Sequence, residues 1–167
     1  MPKFIVYFAS FLCVYLSIAS FVCAASSADV TATVTVQNVS VSVTDGSVSY
    51  GTVTSSGDQD TTTNGVDDSQ TATNDGNVAE DINIRGADST SWTLASSAGS
   101  EQYAHKFCTS NCDSDPTWTA LTSTNQTLSA GVSASGSVTF DLQILVPSAT
   151  TQTSAESITV TVQASAS

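Results

Sequence analysis

Few residues in this chain could do chemistry, and their spacing narrows what that chemistry is. His105 is the only histidine among 167 residues. Nucleophilic catalysis needs a base held beside the attacking hydroxyl or thiol, and no Gly-x-Ser-x-Gly turn offers one. In Tyr103-Ala104-His105-Lys106-Phe107 the histidine shares an alternating phase with Tyr103 and Phe107, so it is expected as a packed side chain on a strand. A blue-copper centre takes two histidines and is excluded by count. Glycosidases need two carboxylates across a cleft, but with 15 Asp and Glu the pairing carries no information. No catalytic residue is assigned, and the chain is expected not to be an enzyme.

Two groups could bind or bond. Cys108 and Cys112 are spaced Cys-x3-Cys, and in an exported protein such a close, even pair reads as a disulfide. A zinc site from His105, Cys108, Cys112 and Asp113 has suitable ligand chemistry, but lacks a second Cys or His pair. The other group is the acidic stretch at residues 58–68, where Asp58, Asp60, Asn64, Asp67 and Asp68 are candidate calcium ligands. Calcium takes six to eight oxygens, often from one loop. The stretch starts like a calcium loop, then lacks the third carboxylate, glycine spacing and closing Glu of an EF-hand. Its plainer reading is a solvated loop between strands. Asp113 and Asp115 form a weaker second group. No other cofactor is expected.

The elements that hold these residues follow an exported N-terminus. After Met1-Pro2-Lys3 the chain is largely apolar from residue 4 to residue 22 and closes on Val22-Cys23-Ala24, with Ala25-Ser26-Ser27 next. A short positive start, an apolar stretch and small residues at the cut make a secretory signal peptide. Cleavage is expected after Ala24, with Ala25 as the neighbouring alternative. An uncleaved leader would be a membrane anchor, and Cys23 is a weaker candidate for lipidation. Residues 25–167 are then one domain, secreted to the extracellular space or cell surface, touching a membrane only through an uncleaved leader.

The mature chain keeps Arg85 and Lys106 against 15 acids, a net charge near -13. Nucleic-acid binding needs clustered Lys and Arg and anionic lipid attracts basic patches, so neither partner is expected. Hydroxyls dominate instead, with 29 Ser and 25 Thr.

Beyond the leader there are 15 Val and 5 Leu, and β-branched side chains suit pleated strands. Val138, Phe140, Leu142, Ile144 and Val146 alternate without a break, as do Ile158, Val160, Val162 and Ala164. Val78, Ile82 and Ile84 share a phase against Asp81, Asn83 and Arg85. Shorter strands are expected at residues 48–50, 71–73, 92–94, 103–107 and 118–121. Trp92, Leu94, Tyr103, Phe107 and Trp118 read as core. Val30, Ala32, Val34 and Val36 face one way, whereas Val39, Val41 and Val43 take the opposite phase. That flip implies a bulge or two strands in different sheets. Asp45-Gly46, Asn64-Gly65, Asp75-Gly76-Asn77 and Ser135-Gly136 are turn signals, read as hairpin reversals. The pattern predicts an all-β, antiparallel two-sheet sandwich of about eight strands, with no helix.

Tyr50-Gly51-Thr52-Val53, Ser56-Gly57, Thr73-Asn74-Asp75-Gly76-Asn77, the strand at residues 138–147 and the strand at residues 158–162 give a finer resemblance. In this order they resemble exported immunoglobulin-like sandwich domains. More loosely, the chain is similar to camelysin and TasA-type biofilm fibre subunits, which place one sandwich behind a signal peptide. The resemblance spans about residues 29–164 through short motifs, and leaves the insert between Trp92 and Trp118 unmatched. It implies a surface or matrix role and transfers no catalytic residue.

Function is therefore expected to be structural: a cell-surface or extracellular-matrix protein, a fibre or coat subunit whose partners are its own copies or other surface proteins. Strands poor in Lys have weakly guarded edges, which suits assembly by strand addition. Val30, Ala32, Val34 and Val36 are the candidate donor strand. The alternative is an extracellular binding module, for calcium through the acidic loop or for carbohydrate through Trp92, Trp118 and Tyr103. Two coplanar exposed rings would mark the sugar-binding case.

Overall fold

A computed structural model describes residues 26–167. The segment expected to be a leader, residues 1–24, lies outside the described residues, and with it the expectations of cleavage, anchoring and lipidation. Residues 26–35 contain no strand or helix. Residues 36–167 form a separate unit, all-β, with no helix.

Ten strands follow in chain order: β1 (Val41–Thr44), β2 (Asp58–Asp60), β3 (Gln70–Asn74), β4 (Glu80–Gly86) and β5 (Thr93–Leu94). Then come β6 (Gln102–Cys108), β7 (Thr119–Ala120), β8 (Gln126–Val132), β9 (Ser137–Leu145) and β10 (Val160–Ala166). Seven make one sheet along the path β1-β3-β9-β6-β5, with β2 added on β9 and β7 on β6. The other three make a second sheet in the order β10-β4-β8. All ladders are antiparallel except β5 with β6, which is parallel.

Period-two sequence becomes period-two burial. Along β4, Glu80, Ile82, Ile84 and Gly86 are buried while Asp81, Asn83 and Arg85 lie on the wetter face. Ile82 and Ile84 meet Ala72, Phe107, Leu128, Phe140 and Leu142 in the main core. A second cluster gathers Tyr103, Ile144 and Val146, with Trp92 and Leu94 packed against it. Trp118 is only half-buried.

Several expectations need correction. The turn at Asp75-Gly76-Asn77 leads from β3 to β4, and Ser135-Gly136 leads from β8 to β9. Each carries the chain from one sheet to the other, so neither closes a hairpin. Gly76 is needed there: a Cβ would collide with the Glu80 carboxylate and the Asn38 carbonyl. The valine phase flip produces neither a bulge nor two strands. Only Val41 and Val43 enter a strand, facing inward from β1, and no element precedes it among the described residues. Residues 48–50 form no strand, although Val48 and Tyr50 pack on the main core. Asp58–Asp60 was expected in a loop and instead pairs with Leu145, Ile144 and Gln143 of β9.

Candidate functional site

A cleft of about 1060 Å³ lies beside β10. β9 lays its inward side chains along it, Phe140, Leu142 and Ile144, and β10 contributes Val160 and Val162. Tyr50, His105 and Trp92 also line it.

His105 reaches the cleft because β6 alternates as its sequence predicts. It sits opposite Ile144 in the β6–β9 ladder, as Phe107 sits opposite Leu142. The histidine is buried, and its Nε2 lies 2.8 Å from the Tyr50 hydroxyl. Nδ1 has no hydrogen-bond partner among the described residues. Burial pushes the His105 pKa down to about 4, so the ring is neutral near pH 7. Burial, with the charges on Asp60, Asp68 and Asp141, pushes the Tyr50 phenol well above its ordinary range. Two neutral groups thus share a hydrogen bond. An imidazole that binds protons this weakly is a poor general base at neutral pH, and the arrangement fits a structural tie.

Trp92 and Tyr103 do not form a flat stacking platform. Tyr103 is fully buried, and its ring is tilted 46° from that of Trp92. Burial, then the charge on Asp88, raises the Tyr103 pKa to about 12. Its hydroxyl donates to the Ala87 carbonyl, while Trp92 Nε1 donates to the Thr150 hydroxyl at 2.9 Å. Both polar ends are used inside the protein, as buried Tyr and Trp usually require.

Oxygens of the acidic stretch are also taken up internally. Asp60 Oδ1 accepts from the Thr62 hydroxyl at 2.7 Å and backbone N–H at 3.1 Å. Asp58 Oδ2 accepts from Gln143 Nε2 at 3.0 Å, and Asp68 Oδ1 from Gln70 Nε2 at 3.1 Å. Asn64 Nδ2 donates to the Asp113 carbonyl, while the Asp113 carboxylate accepts from the Thr63 N–H. The two acidic groups therefore meet through backbone contacts. Asp67 is exposed and its N–H bonds the Thr62 carbonyl. Among the described residues, no three His, Cys, Asp or Glu side chains converge in a metal-holding group. Cys108 and Cys112 are joined in a disulfide with Cα atoms 5.9 Å apart, which removes their thiolates from any zinc set.

Sequence reasoning missed three buried polar anchors. Asp141 Oδ1 accepts from Thr61 at 2.8 Å and from Ser69 at 2.7 Å. Asn74 Nδ2 donates to the carbonyls of Val78 and Val132, each at 2.8 Å. Glu80 Oε1 accepts from the Ser40 N–H at 2.9 Å. The isolated Asn and Glu beside the Asn-x-Gly turn were the available signal for the last two.

These anchors lead to the candidate donor segment. Asn77 Oδ1 accepts from the Asn38 N–H, and Asn77 Nδ2 donates to the Val36 carbonyl, both at 2.8 Å. The β3–β4 turn thereby grips residues 36–40 by their backbone. Ahead of that grip Val30 is 93% exposed and Val34 90%, with Val36 at 78% and Val39 at 40%. These are the exposed large hydrophobic residues of the described chain. Ala32 is exposed as well. The chain matches no protein-family model, curated protein or solved structure in the comparisons made.

Proposed function

We propose that the protein is a non-enzymatic, exported structural subunit of the cell surface or extracellular matrix, with an immunoglobulin-like sandwich behind a removable leader. It assembles with its own copies or other surface proteins by strand addition, and residues 30–36 are the donor strand.

The observation that carries this reading is the confinement of exposed large apolar side chains to the segment before β1. Apolar side chains left in water mark interaction sites when they lie together. Here they alternate with Thr31, Thr33 and Thr35, the pattern of a strand with one face to bury and one to wet. Two sheets packed over a shared core, with the chain crossing between them at β3–β4 and β8–β9, support the sandwich reading. The acidic surface and internal disulfide fit an oxidising exterior.

The test is deletion of residues 25–37 from the full chain, followed by electron microscopy and size exclusion of the secreted product. Polymers or oligomers in the parent that vanish in the deletion support the reading. Unchanged assembly, or a parent that is monomeric throughout, overturns it. Replacing Val30, Val34 and Val36 with Ser in the full-length chain checks that lost assembly does not reflect a disturbed leader.

A further inference from the structure

We infer that the acceptor for the donor segment is the cleft beside β10, occupied by residues 30–36 of a second copy lying as an extra strand on the free edge of β10. The inference rests on the strand-addition reading above and adds the place where the strand lands.

Three observations converge on that place. First, β10 pairs with β4 on one side and has no sheet neighbour on the other among the described residues. Its free edge presents unpaired backbone groups, the usual template for a strand from another chain. The sequence Val160-Thr161-Val162-Gln163-Ala164-Ser165-Ala166 contains no charged residue and no proline, so the usual devices that blunt an edge are missing.

Second, the cleft opens at this edge. A strand laid on β10 would continue the three-stranded sheet over Phe140, Leu142 and Ile144 of the opposite sheet, which already line the cleft. A strand with small and β-branched side chains on one face fits such a floor.

Third, the donor resembles its proposed neighbour. Residues 30–36 read Val-Thr-Ala-Thr-Val-Thr-Val, and β10 reads Val-Thr-Val-Gln-Ala-Ser-Ala. Both span seven residues, roughly 23 Å of extended chain. Both place Val or Ala at alternate positions and hydroxyl or amide side chains between. β10 already uses this pattern to turn Val160 and Val162 toward the core. A second strand with the same alternation can extend the same inner face.

In this arrangement the incoming Val30, Ala32, Val34 and Val36 cover apolar surface, while Thr31, Thr33 and Thr35 stay at the outer face beside Thr161 and Gln163.

The experiment uses the full-length protein carrying one added cysteine beside the native Cys108–Cys112 disulfide. Thr31→Cys, Thr33→Cys and Thr35→Cys variants are each mixed with a Thr161→Cys variant and oxidised. Controls carry Thr127→Cys on β8, the other edge of the same sheet, or Ser42→Cys on β1. The expected result is an intermolecular disulfide to Thr161→Cys from at least one donor position. Its yield should exceed the controls on the order of ten-fold, because docking raises the local thiol concentration. Preferential bonding to Thr127→Cys or Ser42→Cys would overturn the β10 cleft as acceptor while leaving strand addition standing. No intermolecular bond at any position, with a monomeric parent, would overturn both.

Discussion

The Tyr50 hydroxyl lies 2.8 Å from Nε2 of His105, a residue 55 positions later in the chain. It fastens a segment without ladder partners to the central strand β6. Val48 and Tyr50 alternate inward like strand residues, but the backbone there makes no sheet. A side-chain bond across the cleft holds what a ladder would otherwise hold. Replacing Tyr50 with Phe should keep the ring packing and leave the imidazole nitrogen without a partner. The expected loss is about 1–3 kcal/mol, the typical cost of an unsatisfied buried polar group. Urea denaturation of the two proteins measures it, and equal midpoints would show that the bond contributes nothing.

The same histidine sets a pH dependence. Its folded pKa is lowered to about 4, from 6.5. The unfolded chain therefore takes up a proton below about pH 6.5 that the folded chain refuses until about pH 4. Stability from this group is fully present above pH 6.5 and falls as pH drops through that window. The full loss is on the order of 3 kcal/mol for a shift of this size. A His105→Gln variant should show a flatter stability profile between pH 6.5 and pH 4. An identical slope in both proteins would refute the assignment to His105.

Asn74 is a second fixed point. It ends β3 and bonds the carbonyls of Val78 and Val132, so one amide holds both crossings between the sheets. Its Oδ1 also accepts the Gly76 N–H at 2.8 Å. Asn74→Ala strands two carbonyls and an N–H in a buried place. A loss of about 2–4 kcal/mol is expected, as several buried partners fail together. Asn74→Asp should recover little, since a carboxylate cannot donate to the two carbonyls. Thermal melts of the three proteins decide this.

The Cys108–Cys112 disulfide has a sequence separation of four. A loop this short restricts the unfolded chain only modestly, and the chain-entropy estimate is roughly 2 kcal/mol. Replacing both cysteines with Ser should lower the melting temperature without preventing folding. A variant that fails to fold would show that the loop has a larger role.

The strands read with the firmest bounds in the sequence were those with regular alternation, while β3, β5 and β7 were expected only as short segments at residues 71–73, 92–94 and 118–121. β4, β6, β9 and β10 were each readable, because large apolar side chains recur at every second position and pack inward, although Ala104, Cys108 and Asp141 on the other face of β6 and β9 are buried as well. β8 was not, since Gln126-Thr127-Leu128-Ser129-Ala130-Gly131-Val132 carries few apolar side chains and its register with β4 shifts twice. β2 was hidden because Asp58–Asp60 is held by backbone bonds to β9, which leave no apolar signature. Turn residues announced where the chain reverses but not whether it returns to the same sheet. That choice is made by distant contacts such as Asn74 with Val132. The cysteine pair was legible because its partners are local, and the placement of His105 because strand phase is local. The Tyr50 tie was not, because no local pattern links residues 50 and 105. The acidic stretch showed its charge but not that Thr62, Gln70 and Gln143 would occupy its oxygens.

The central claim is that the valines before β1 act between molecules. They are exposed in the single chain, so replacing Val30, Val34 and Val36 with Ser should leave folding stability within about 0.5 kcal/mol of the parent. Size exclusion with light scattering of the purified full-length protein, beside electron microscopy of the same material, is the direct measurement. The account predicts polymers or oligomers from the parent and monomers of unchanged melting temperature from the triple variant. Polymers of equal size and abundance from both proteins, or monomers from both, would contradict it.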